Sequence, residues 1–165
     1  MNKQQLANKI WESANKMRSK IEANEYKDYI LGFIFYKYLS DQEVHYLKEE
    51  KKWTEEALIS DLNEDHEEYV KPTRNRLGYF IAYDDLFSTW IKKGKDFSID
   101  NVSTAPSAFS RNINPGYKNV YEGIFDTLQS GLTKLGDSTG SRTKAASDLI
   151  QLIREIPMDG KQDYD

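Results

Sequence analysis

The residues of this chain whose types can do chemistry are two histidines, a run of acids, a stretch rich in glycine and hydroxyls, and scattered cations. His45 and His66 stand 21 positions apart, which matches no zinc-ligand spacing. Both read as ordinary surface or interhelical residues. The sequence has no cysteine, so disulfides, thiol catalysis and cysteine-ligated zinc are excluded. Asp61, Glu64, Asp65, Glu67 and Glu68 lack the alternating ligands and central glycine of a calcium loop, and read as a solvated acidic face. Gly136–Lys144, GDSTGSRTK, invites comparison with a phosphate-binding loop. It does not match G-x-x-x-x-G-K-[ST], and no apolar strand precedes it, so a loop with a helix cap is the better reading. Asn101-Val-Ser is a glycosylation sequon by its letters only.

The cations remain. Net charge is −4, but residues 53–70 hold seven acids and no Lys or Arg, while 71–76 hold Lys71, Arg74 and Arg76 and no acid. Removing both segments leaves 20 basic residues (23 − 3) and 20 acidic ones (27 − 7). The chain is therefore not a basic nucleic-acid-binding domain overall, and contact with DNA would use a local patch. Lys71, Arg74 and Arg76, joined in space by Lys92, Lys93 and Lys95, are the candidate contacts with a phosphate backbone; solubilising charge is the plain alternative. Arg18 is read either as a solvated side chain or as the partner of a carboxylate or phosphate at an interface.

These side chains need elements to hold them. Leu6, Ile10, Ala14, Met17 and Ile21 recur at helical spacing and predict an amphipathic first helix, its stripe widened by Trp11. After a polar break, Tyr26, Tyr29, Ile30, Phe33, Ile34 and Tyr38 occupy one face of a second helix; Leu31, Phe35, Tyr36 and Leu39 occupy the other. A helix apolar all round belongs at the centre of a bundle. Gly32 costs such a helix about 1 kcal/mol; close helix–helix approach is one reading of it, and a merely tolerated glycine is the other. Thr54 is a candidate N-cap, with Trp53 and Leu58 placed for a hydrophobic staple.

Further along, 60–76 reads as a loop or short helix ending raggedly at Pro72. Residues 77–83 are aromatic and β-compatible, and are expected as a short extended segment before a helix from about Asp84 to Lys93. Residues 95–104 read as loop, with Pro106 in the first turn of a short helix carrying Ala108, Phe109 and Ile113. Asn114-Pro115-Gly116 is a turn. Tyr121, Ile124, Phe125 and Leu128 return to helical spacing, and Ser141 caps a last helix that Pro157 stops. The expectation is a mainly helical bundle, all-α apart from the segment near 77–83. Residues 1–157 form one domain and 158–165 begin a linker. No apolar run approaches the 18 residues that span a bilayer, and MNKQQLANK lacks a signal peptide's apolar core; a cytoplasmic protein without membrane contact is expected.

The segment IWESANKMRSKIEANEYKDYILGFIFYKYLSD resembles the opening of the modification (methyltransferase) subunit of type I restriction–modification systems. The matching positions are Trp11, Arg18, Glu25, Tyr26, Lys27 and Leu39-Ser40-Asp41. Agreement continues through Gly78-Tyr-Phe-Ile, Asp85-Leu-Phe-Ser, Gly123-Ile-Phe-Asp and Leu149–Pro157, so it covers essentially the whole chain. The shared motifs are packing motifs rather than chemical ones.

The resemblance implies an N-terminal helical domain that precedes a Rossmann-like catalytic domain. In that family the catalytic domain binds S-adenosylmethionine and methylates adenine N6. Two modification subunits join a specificity subunit that reads double-stranded DNA, and motor-nuclease subunits complete the complex. The helical domain is thought to help close the complex around DNA. Such chemistry requires a glycine-rich turn after a strand and an Asn/Asp-Pro-Pro-aromatic motif around the extruded base. Asn114-Pro115-Gly116-Tyr117 lacks the second proline, so catalytic, cofactor-binding and metal residues are all expected to be absent from this chain, which reads as a piece of a longer polypeptide. Partner contacts are expected on the polar face of the first helix and in the charged segments after Trp53. A stand-alone helical adaptor is the alternative reading, and a self-contained enzyme a third.

Overall fold

The computed structural model describes residues 4, 5, 8, 23–131, 135 and 137–155. Leu6, Ile10, Ala14, Met17 and Ile21, together with Trp11 and Arg18, lie outside the described residues, as does 158–165. Helix α1 runs Ala23–His45 and continues into a π-helical turn, Tyr46–Glu50. There follow α2 (Glu55–Asp61), α3 (Glu67–Leu77), α4 (Phe87–Lys93), α5 (Ile99–Arg111), the short α6 (Lys118–Tyr121), α7 (Asp126–Gly131) and α8 (Thr139–Ile153). Single 3₁₀ turns join several of them. No strand forms among the described residues, and the fold is all-α.

Helix α1 is the axis of the core. It packs against α4, α7 and α8, while α5 packs against α7 and α8. Tyr29, Phe33, Tyr36, Ser40, Glu43 and Leu47 are all buried, and their alternating steps of four and three mark one continuous stripe. The opposite face is not covered: Leu31 is 52% exposed, Phe35 45% and Tyr38 44%. The expected burial on all sides therefore fails along Leu31, Phe35 and Tyr38, because α4, α7 and α8 gather on the other side; Tyr36 and Leu39, assigned by spacing to the second face, are buried, and Tyr38, assigned to the first, is exposed. Gly32 lets α7 approach closely; a Cβ there would lie 2.9 Å from Leu128 Cγ.

Aromatic rings bind the helices together. Tyr36 stacks on Trp90 of α4 at 5.0 Å and meets Phe125 edge-on at 5.1 Å. Phe125 meets Phe109 at 5.0 Å, Phe109 meets Tyr79 at 5.5 Å, and Tyr79 meets Tyr121 at 5.4 Å. Each such pair contributes about 0.5–1.5 kcal/mol beyond the area it buries.

Several sequence expectations need correction. Residues 79–82 form no strand; their backbone is held by other elements, with Ile81 N–H donating to Glu43 Oε1 at 2.8 Å and Tyr83 N–H to the Leu62 carbonyl at 2.9 Å. Helix α3 passes through Pro72 and ends at Gly78 in the left-handed region, φ 94°. Burial of Val70, Thr73 and Leu77 on one face outweighs the hydrogen bond the proline loses. The helix expected from Asp84 begins at Phe87 instead, after a 3₁₀ turn at Tyr83–Asp85.

Helix α5 starts at Ile99 rather than at Pro106, because Ser98 and Asn101 close a capping box. The segment around Tyr121–Leu128 is broken at Gly123, φ 80°, into α6 and α7. In α8 the cap is Ser138, and Ser141 is its reciprocal partner three residues on. Thr54 caps α2 as expected, accepting from Ala57 N–H at 3.1 Å. The Asn114 turn also forms, with its Oδ1 accepting from Gly116 N–H at 2.9 Å. Trp53 places its ring against Tyr69 of α3.

Candidate nucleic-acid and partner interface

Three of the candidate cations lie on α3, and the helix spreads them. Lys71 and Arg74, three residues apart, share a side, whereas Arg76 stands well round the helix from Arg74. Arg74 reaches back two turns to Glu67 at 3.0 Å. Arg76 bonds Glu50 at the end of the π-helical turn, 3.2 Å away, and lies 5.6 Å from the centre of the Tyr46 ring. Lys71 is exposed. The three therefore do not form one continuous patch.

The second group is tied elsewhere. Lys92 at the end of α4 bonds Glu55 of α2, and Glu55 also receives Lys48 of the π-helical turn at 2.8 Å. The two lysines hold the Glu55 carboxyl below its ordinary range, Lys48 first and Lys92 second, while Glu55 raises Lys92. Lys93, the last residue of α4, is half-buried, and Lys95 is exposed in the middle of the following turn. Beside the Glu55 pair lies an open cleft of about 470 Å³ between α1, α2 and α4, with His45, Glu49 and Tyr83 on its walls. Surface ion pairs of this kind each contribute about 0–1 kcal/mol. Their larger effect is to fix where charge is presented.

The acidic run is similarly engaged. Glu64 bonds Arg111 of α5 through both carboxylate oxygens, at 2.8 and 3.2 Å. His66 precedes α3 with Nδ1 3.1 Å from the Asp61 carbonyl, and its ring packs near Tyr69. Neither histidine approaches a second candidate ligand set: among the described residues no group of three or more His, Asp or Glu is placed to hold a metal ion. No described helix is long and apolar enough to cross a membrane.

The most perturbed groups are ones the sequence did not single out. Glu43 is fully buried in α1, and burial pushes its carboxyl well up, partly offset by the bond from Ile81 N–H. Tyr36 donates to the Asp85 carbonyl at 2.8 Å, and Tyr79 donates to the Leu39 carbonyl at 2.8 Å. Burial and then the nearby charges of Asp84 and Glu64 raise Asp85 to about 6. These groups pin residues 79–86 to α1. After Ser40-Asp41-Gln42 nothing marks Glu43 as buried; only its place on the Tyr36–Ser40–Leu47 stripe hinted at it.

An all-α domain with an aromatic core and a rim of paired charges is the class that this architecture defines. A family model described as the HsdM N-terminal domain matches residues 6–155. The chain belongs to that family. It is 26% identical over 163 aligned positions to the type I restriction enzyme MpnII methylase subunit of Mycoplasma pneumoniae, covering 92% of this chain and 30% of that protein. It is also similar to the crystal structure of the type I restriction-modification system methyltransferase subunit from Streptococcus thermophilus, with a TM-score of 0.75 and 26% identity over 98% of this chain and 36% of that one. The chain thus spans about a third of the length of these relatives.

Proposed function

We propose that this chain is the N-terminal helical interaction domain of a type I restriction–modification methyltransferase subunit. The observation that carries the reading is the family match over 6–155, supported by a shared fold over 98% of the chain. The parent subunit would transfer a methyl group from S-adenosylmethionine to adenine N6, in the cytoplasm, through a catalytic domain outside the residues given. The helical domain would contribute protein contacts to a second modification subunit, to the specificity subunit and to motor-nuclease subunits, and would help hold double-stranded DNA. Charge presented by Lys71, Arg74, Arg76, Lys92, Lys93, Lys95 and Arg18 is the proposed means. Arg74, Arg76 and Lys92 would exchange their present acidic partners for phosphate or for a partner's carboxylates, a substitution that costs little at exposed sites.

Co-expression with the cognate specificity and modification subunits tests this. The parent subunit should co-purify as a complex that methylates DNA, and deletion of residues 6–155 should abolish assembly while leaving the catalytic domain able to bind S-adenosylmethionine. A complex that assembles and methylates normally without those residues would refute the reading. A stand-alone adaptor is the outcome if the coding sequence continues with no glycine-rich turn and no Asn-Pro-Pro-aromatic motif.

A further inference from the structure

Beyond α1 the chain reverses abruptly. The Tyr46–Glu50 turn is π-helical, a form found mostly as single turns and often at functional sites. Two residues later Lys52 has φ 60°, a left-handed conformation uncommon outside glycine. Lys51 N–H donates to the Tyr46 carbonyl at 3.2 Å and Trp53 N–H to the Leu47 carbonyl at 2.9 Å. The reversal sets the Trp53 ring edge-to-face on Tyr69, 5.0 Å away at 85°. Between the turn and α3 it leaves a pocket of about 230 Å³, walled by Tyr46, Trp53, Tyr69 and Pro72, with Lys51 and Glu68 at its edge.

We infer that this pocket accepts one unpaired nucleobase of a single DNA strand, with the sugar and phosphate held outside at its lip. The size fits that division. Sites enclosing a whole drug-sized ligand measure about 300–1,000 Å³, so this one takes a single ring system and not a whole nucleotide. The walls fit too, because aromatic faces stack any base without regard to sequence. Lys51 lines the pocket and supplies the charge, its Nζ 6.0 Å from the Tyr46 ring centre; Arg76 Cζ lies 5.6 Å from the same ring, and Lys52 and Lys71 are exposed next in sequence to lining residues. Glu68 lines the pocket, and Glu67 and Glu50 stand next in sequence to lining residues; Glu67 is bonded to Arg74 and Glu50 to Arg76. A cationic ligand is disfavoured, since two cations already occupy the neighbourhood of the Tyr46 ring. The inference adds a single-strand contact to the role in holding double-stranded DNA proposed above, and rests on it.

The test measures binding of a fluorescein-labelled oligothymidylate, and of a duplex of equal length, to the 165-residue chain at low salt. The single strand should bind more tightly. Tyr69→Ala, at a residue already 36% exposed, should weaken it about tenfold, and Lys51→Ala should lower the salt slope by about one. Lys144→Ala, on α8 and outside the pocket, should leave affinity unchanged. Tyr69→Leu, checked by a thermal melt, separates loss of stacking from loss of fold. Equal binding of duplex and single strand, an unchanged affinity in a folded Tyr69 variant, or capture of a proline-rich peptide in place of the oligonucleotide would overturn the inference. Failure of subunit co-purification with oligonucleotide binding intact would instead remove the assembly role and leave the pocket standing.

Discussion

Glu43 shows how one side chain sets the behaviour of its surroundings. Its carboxyl is held above the ordinary range by burial, so the folded chain keeps this proton where the unfolded chain has released it. Stability is then greatest below the unfolded value of about 4.3 and falls as pH rises towards the folded one, by about 1.4 kcal/mol per pH unit at most. Asp85, raised to about 6, adds a decline of the same sign between about pH 4 and 6. Glu43→Gln keeps an acceptor for Ile81 N–H and removes the titrating proton, so urea titrations should show a flatter stability profile above pH 5, the variant gaining on the parent as pH rises. Glu43→Ala strands the Ile81 N–H and opens a void; a loss of about 2–4 kcal/mol is expected. A Gln variant with the parental pH dependence would show that Glu43 is ionised in the fold.

At the scale of the element, two glycines carry the packing. Gly32 trades helix propensity for the approach of Leu128. Alanine there gains about 1 kcal/mol of propensity but forces the Leu128 side chain aside at a cost of about 1–3 kcal/mol. Gly32→Ala should therefore be neutral to mildly destabilising alone. Combined with Leu128→Ala it should be less harmful than the sum of the two, a coupling that a double-mutant cycle reads directly. Gly78 is stricter. It ends α3 at φ 94°, and a Cβ would lie 2.6 Å from the Tyr117 ring. Gly78→Ala adds steric conflict to an unfavourable backbone region, and thermal melts should show a loss of at least about 2 kcal/mol.

On the scale of the whole molecule, the charged rim and the aromatic core divide the work. The core fixes the helices, and the rim presents cations whose partners are themselves at the surface. If those cations meet DNA phosphates in the parent complex, Arg74→Ala with Arg76→Ala should reduce the slope of log affinity against log salt by about two. An unchanged slope would leave them as solubilising charge. The isolated chain should give no heat with S-adenosylmethionine in calorimetry; a measurable titration would favour a self-contained enzyme.

The helical class, the Thr54 cap and the Asn114 turn were readable from local spacing, since periodicity, capping and turn chemistry act within a few residues; the family came from the resemblance of whole segments to known sequences. The extents of α3 and α5 were not, because burial of Val70, Thr73 and Leu77, and of Val102, Ala105 and Phe109, overrides the end read at Pro72 and the start read at Pro106. Nor could one sequence tell which face of α1 would be covered. Leu31 and Phe33 are equally apolar letters, yet one is 52% exposed and the other wholly buried, a difference made by where α4, α7 and α8 settle. The pairing of Arg76 with Glu50 and the meeting of Tyr46, Trp53 and Tyr69 likewise join residues from separate elements. Such contacts exist only once the chain has folded, and the tertiary structure alone decided them.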